Sequence, residues 1–261
     1  IKKFFLRLGL KLKRIGIQIQ DLFRVLVLVV TMSQTNNDNC FLLHQRAYGE
    51  TSIIADVFTQ NSGKISFVAK GAKKPKSKFF GYLVPFQKLN VTYSGRSELK
   101  TLTSIDRDLS NNSNTLSKVS YSLLYINELL TKLLPKDAKH EELFNLYDEF
   151  LEKINKKNNL EISLRHFELD LLDLLGYGFD YDSEIDSNEP IESEKSYVFV
   201  SEKGFRKSKN SNFSGKDIIN LKNRKLEDVP LRYLKEITTK AIGICLEGRD
   251  LASRKIFRSI K

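Results

Sequence analysis

The hydrophobic period of this chain changes once, and that change divides what it can fold into. Five segments, 40–45, 52–59, 64–69, 83–93 and 99–105, are rich in β-branched and aromatic residues, with alternation clearest in Ile65-Ser66-Phe67-Val68. A segment of that kind keeps one face in a core and reads as a half-buried strand. From Leu116 the apolar residues recur at three- and four-residue spacing instead, through Val119, Leu123, Ile126, Leu130 and Leu133, a helical stripe that Pro135 stops. Several short strands followed by helices predict an α+β chain, a small five-stranded barrel ahead of a helical part.

The connections support this division. Tyr48-Gly49-Glu50, Asn61-Ser62-Gly63 and Ser94-Gly95-Arg96 are turn sequences in which glycine supplies a positive φ. Residues 33–39 form a polar lead-in to the first strand. A second helix shows Leu143, Tyr147, Phe150 and Ile154 on one face; a third, over 160–175, shows Leu160, Leu164, Phe167, Leu171 and Leu174 and stops at Gly176. Residues 180–194 carry Asp180, Asp182, Glu184, Asp186, Glu189, Glu192 and Glu194. A calcium loop from Asp180 needs Gly sixth and Glu twelfth, where Ile185 and Ile191 stand, so a solvated acidic loop is expected. A strand over 197–201, a Lys203-Gly204 turn and closing helices at about 230–246 and 253–261 complete the pattern.

The charge is uneven. Of a net +11, residues 110–261 contribute nothing, with 25 basic and 25 acidic residues. Residues 38–109 hold eleven Lys/Arg against six acids, and 1–31 hold seven against one. A localised excess of this kind is the footprint of a protein that meets a polyanion. Within it runs Lys70-Gly71-Ala72-Lys73-Lys74-Pro75-Lys76-Ser77-Lys78, five lysines in a loop that Gly and Pro hold out of regular structure. Lys70, Lys73, Lys74, Lys76 and Lys78 are therefore candidate phosphate contacts, with Arg46 and Arg96 as contributors; the alternative is a solvated surface loop. Phe79, Phe80 and Tyr82 follow directly and either stack on bases or fill the barrel. Tyr48-Gly49-Glu50-Thr51-Ser52 reads as a structural turn.

Other chemistry is missing. The chain has no Walker-type glycine pattern, no G-x-S-x-G elbow and no H-E-x-x-H, so no enzyme and no cofactor is expected. Cys40 and Cys245 lie far apart, and His44, His140 and His166 are scattered, which offers neither a disulfide framework nor a metal site and fits a reducing cytoplasm. Met32 is the one methionine. Residues 22–30 are too short an apolar run to span a membrane, and no small-x-small site follows, so residues 1–31 are expected to be a non-native upstream extension.

Residues 42–89, LLHQRAYGETSIIADVFTQNSGKISFVAKGAKKPKSKFFGYLVPFQKL, then NELLTKLLPKDAKHEELFNLYDEFLE at 127–152, RHFELDLLDLLGYGFDYD at 165–182 and RDLASRKIFRSI at 249–260 together resemble the RecO family of recombination mediators. The resemblance covers 39–261 and its start coincides with Met32. It implies an N-terminal OB-fold over 32–110 and a helical domain over 111–261, with a small acidic loop and hairpin near 180–210. It further implies binding of single- and double-stranded DNA, strand annealing, contact with the C-terminal tail of single-strand-binding protein, and work with RecR to load RecA, in the cytoplasm at the nucleoid. Many members carry a four-cysteine zinc site after the G-Y-G segment. Here 181–204 hold no cysteine, and tetrahedral structural zinc needs four N/S ligands, so a zinc-free variant is expected. The rival readings are an OB-fold RNA-binding protein, a nuclease and a scaffold for an acidic protein.

Overall fold

The computed structural model describes residues 35–107, 116–154, 159–211 and 213–253, with backbone only for 116–120. The expected boundary at 110/111, the upstream extension 1–31 and the final helix beyond Ser253 lie outside the described residues. Strands β1 (Thr35–Tyr48), β2 (Ser52–Thr59), β3 (Gly63–Ala69), β4 (Lys88–Ser94) and β5 (Leu99–Arg107) close into a barrel in the order β1-β2-β3-β5-β4. Every pair is antiparallel except β3 with β5, which run parallel with Ser66 beside Leu99. This is the five-stranded Greek-key barrel of an OB-fold.

The period-2 pattern explains how the barrel is filled and how it is covered. Cys40 and Leu42 of β1 point inward, joining Val57, Phe67, Leu89, Val91 and Leu102 in the barrel core. Their neighbours Phe41 and Leu43, with Phe58 of β2, point outward and belong to the core of the helical part. The register between β1 and β2 slips between Leu42 and His44. Such an irregularity bends a strand and re-aims its side chains; beyond it His44 to Tyr48 are all exposed.

The helical part comprises α1 (Leu116–Leu133), α2 (Glu141–Ile154), α3 (Leu160–Leu174), α4 (Gly215–Lys222) and α5 (Leu231–Cys245), with a small sheet of β6 (Ser196–Val200), β7 (Gly204–Lys207) and β8 (Phe213–Ser214) in the order β7-β6-β8. Leu143, Phe144, Tyr147, Phe150, Leu151 and Ile154 bury one face of α2, at the spacing its sequence shows. Polar groups also tie the interior together. The Arg165 guanidinium on α3 forms an ion pair with the Glu168 carboxylate and donates to the Thr238 hydroxyl of α5, each at 2.8 Å, and the Tyr125 hydroxyl of α1 donates to Glu168 at 2.7 Å. Two charges this deeply buried persist because each has partners.

The seam between barrel and helices is continuous core. Phe41 contacts Phe144 and Tyr147 with ring centroids 5.2 and 5.0 Å apart, and Phe58 meets Phe144 at 5.5 Å. Asn127 donates to the Leu42 carbonyl at 3.1 Å and accepts from the buried Tyr147 hydroxyl. At the β2–β3 turn Gly63 has φ +70°, and a Cβ there would lie 1.8 Å from the Ala138 carbonyl oxygen. Only glycine permits that approach.

Four elements differ from the pattern read in the sequence. The polar lead-in 35–39 is strand, because Asn37 and Asn39 bond Asn90 of β4 through their amides and the backbone ladder continues through them. The expected strand 83–93 begins only at Lys88, since Phe86 after Pro85 takes φ +64° and turns the chain. Helix α4 carried no apolar run long enough to be seen; it is started by a capping box in which Ser214 and Asp217 satisfy each other's backbone amides. The acidic stretch keeps six of its seven acidic residues exposed, as a solvated loop does, but it is tied down around the seventh. Buried Glu184 accepts from the amides of Ser187, Asp186 and Lys207 and from the Ser187 hydroxyl. Arg206 bonds Asp186, while Lys207 pairs with Glu189 and Glu192.

Candidate nucleic-acid interface

The lysine loop follows β3 and is wound into successive turns, closer to a ratchet than to a loose strap. Amides of Lys74, Ser77 and Phe80 each reach back three residues, to the carbonyls of Gly71, Lys74 and Ser77 at 2.9–3.1 Å. Its apolar members anchor it: Ala72, Phe79 and Leu83 insert into the barrel core. It is also tied to the β1–β2 turn, since Lys73 N–H donates to the Thr51 carbonyl at 2.9 Å and Gly71 N–H to the Ser52 hydroxyl at 3.2 Å. Lys73 and Lys78 ammoniums rest on the carbonyls of Gly49 and Thr103.

The five lysines are all exposed on this one end of the barrel. Anchored backbone with exposed cationic side chains, two of them resting on carbonyls, presents charge without first having to order the loop. Phe79, considered for stacking, is corrected by its burial at 6% exposure: its ring is a plug of the barrel and only carries Lys78 above it. Phe80 and Tyr82 are 50% and 36% exposed. Tyr48, on the turn tied to the loop, is 51% exposed, so three of the seven large exposed apolar side chains among the described residues gather at the lysine-bearing end. The Arg107 guanidinium lies 5.1 Å from the Tyr82 ring centre, at cation–π distance. Tyr48 and Arg107 were not singled out in the sequence: one sits in a turn read as structural, the other at a strand end.

Arg46 and Arg96 stand apart from this group. Arg46 bonds Asp56 at 2.9 Å on the outer face of β1 and β2, so its charge is already offset. Because β3 and β5 are parallel, Arg96, just ahead of β5, lies at the opposite end of these strands from Lys70, just after β3. Among the described residues no group of three or more His, Cys, Asp or Glu side chains is placed to share a metal ion, and no helix is long and apolar enough to cross a membrane. Cys40 and Cys245 are both buried, and burial raises both thiols, Cys245 to about 11, which leaves them unreactive.

A basic, aromatic-bearing end on an OB barrel, fused to a helical domain, defines an OB-fold protein of the nucleic-acid-handling kind. Comparison with known proteins narrows the class. Residues 32–107 match the family description "Recombination protein O N terminal" and 116–240 match "Recombination protein O C terminal". The chain belongs to the RecO family. It is 35% identical over 226 residues to the DNA repair protein RecO of Pseudoalteromonas atlantica, covering 84% of this chain and 93% of that one. It is 39% identical over 224 residues to the proteins of the same name from Salmonella dublin and Klebsiella pneumoniae, covering 84% of this chain and 92% and 91% of theirs. It is thus a DNA repair protein of that family, with a general role in recombination repair.

Proposed function

We propose that the chain is a recombination mediator that works by binding energy alone, without nucleotide or metal. It holds single- and double-stranded DNA on the lysine-bearing end of the barrel and anneals complementary strands. The observation that carries this reading is the coincidence of five exposed lysines with three exposed aromatic rings on one pinned loop end. Lysines answer phosphates of any sequence, and exposed rings answer unstacked bases. Lys70, Lys73, Lys74, Lys76 and Lys78 act as phosphate contacts, and Phe80 and Tyr82 as stacking surfaces.

The partners follow the same reading: the acidic, phenylalanine-ended tail of single-strand-binding protein docks on the helical domain, and RecR joins to help load RecA, in the cytoplasm. A groove between α2 and α3 suits such a tail. It is lined by Leu146, Phe150 and Phe167 for a ring, with His166 and Lys153 beside them; Lys153 pairs with Glu149 at 2.7 Å and Asp170 also lines the groove, so a tail carboxylate would have to exchange with Glu149 for the lysine. The test is annealing of complementary strands coated with single-strand-binding protein, without nucleotide, against matched RNA strands. Acceleration confined to DNA supports the mediator. Equal action on RNA favours an RNA-binding role, and no annealing at all removes the proposal.

A further inference from the structure

The outer face of β2 and β3 holds a cavity of about 360 Å³ where the barrel meets the helical domain. We propose that this cavity takes one unstacked base of a bound single strand, an inference that rests on the mediator reading above. In OB-folds the face of the second and third strands is where oligonucleotides lie. In this chain that face is blocked at one end. The Lys64 ammonium donates to the Thr131 carbonyl at 2.7 Å, and the Asp137 N–H donates to the Lys64 carbonyl at 2.9 Å. A strand running along the face meets this wall, so the cavity has room for a single unit and not for a continuous track.

The chemistry of the lining selects the part of the nucleotide that enters. Three cations, Arg46, Lys64 and Lys136, are matched by three carboxylates, Asp56, Glu98 and Asp137. Arg46 pairs with Asp56 at 2.9 Å, Lys136 with Glu98 at 3.7 Å, and Lys100 reaches Asp137 at 3.5 Å. A balanced lining gives a phosphate no net attraction. A neutral base with both donors and acceptors fits it, while Ile54 and Leu99 give its ring an apolar surface. One edge of the cavity approaches the lysine end, since Ile54 lies two residues beyond Ser52, whose hydroxyl holds the Gly71 amide, roughly 7 Å along an extended strand, while Lys64, Glu98 and Lys136 line it toward the other end of β3 and β5. A backbone seated on the lysines can therefore drop a neighbouring base into the seam.

The test uses the full chain and thymine strands carrying one photoreactive 4-thiothymine, irradiated and mapped by mass spectrometry. Crosslinks to peptides holding Ile54–Ser66 or Thr131–Asp137 are expected. Ile54→Phe, which fills the cavity, should abolish them and weaken single-strand affinity about tenfold, within the range of one base contact, with the salt dependence unchanged. Leu99→Phe fills the same space from β5 and serves if Ile54→Phe does not fold. Crosslinks confined to 70–82, with undiminished affinity in a folded cavity-filling variant, would overturn the base site alone. Seam crosslinks that persist while lysine substitutions leave affinity and salt slope untouched would overturn the lysine end instead. No binding of thymine strands at any salt sinks both.

Discussion

The rings of Phe41 and Tyr147 meet almost at right angles, 83° between planes and 5.0 Å between centres, and through this contact a barrel strand enters the helical core. Phe41→Ala should cost about 3–5 kcal/mol, the usual range for a buried aromatic. Because its neighbours come from both domains, the loss should shift one common unfolding transition. Urea titration by circular dichroism checks this: Phe41→Ala lowers the midpoint of a single transition, whereas exposed Tyr48→Ala moves it by under about 0.5 kcal/mol. Two separated transitions in the wild type would contradict the shared core.

Changing Lys73, Lys74 and Lys76 to Ala together should flatten the slope of log affinity against log salt by about 2, since each single-strand phosphate contact contributes roughly 0.7. All sequences should weaken alike, because a lysine is a flexible point charge that reads no base. Thermal melting should barely change, as the loop is anchored by Ala72, Phe79 and Leu83, and the substitution removes only the exposed bond from the Lys73 ammonium to the Gly49 carbonyl. An unchanged slope in a folded variant places the DNA elsewhere.

Glu184 gives a pH dependence with a defined sign. Hydrogen bonds, led by the Ser187 amide, hold its carboxyl down to about 2, below the ordinary glutamate value of 4.5. A group depressed in the folded state stabilises it above the unfolded value, and that contribution is lost as pH falls from about 4.5 through about 2. Glu184→Gln should therefore melt earlier than the wild type at neutral pH, with the gap shrinking steadily below pH 4.5. A gap that stays constant from about pH 7 to about pH 3 would rule out this role for the carboxylate.

The tail-docking proposal predicts that Leu146→Asp, on the rim of the α2–α3 groove, weakens binding of an acidic peptide ending in phenylalanine at least tenfold, or about 1.4 kcal/mol. Removing the terminal phenylalanine from the peptide should lose as much against the wild type and little more against the variant. Fluorescence anisotropy of a labelled peptide measures both. Equal affinity for the shortened peptide would mean charge attraction alone.

The parts of this molecule written in one local period were legible in its sequence. Strand alternation at Ile65 to Val68 needed only neighbours two residues away, and the α2 stripe of Leu143, Tyr147, Phe150 and Ile154 only neighbours three or four away, and both face the cores they were expected to face. What was illegible depends on partners distant in the chain. Asn37 becomes strand because Asn90 and Thr92 receive its amide. Glu184 becomes a buried hub because Lys207 is folded back onto it. Likewise the basic loop was visible as composition, but its stiffness comes from Thr51 and Ser52, and the separation of Arg96 from it comes from the parallel pairing of β3 with β5.

The outward-facing trio of Phe41, Leu43 and Phe58 bears on how the activity can be dissected. An excised barrel would keep its lysines yet bare these three side chains, an apolar patch of the sort that draws copies of a protein together. Clumped barrels crowd basic ends side by side and would bring complementary strands into proximity without any mediator chemistry. Annealing by such a fragment would thus report self-association, and separating the two properties calls for substitutions in the whole chain.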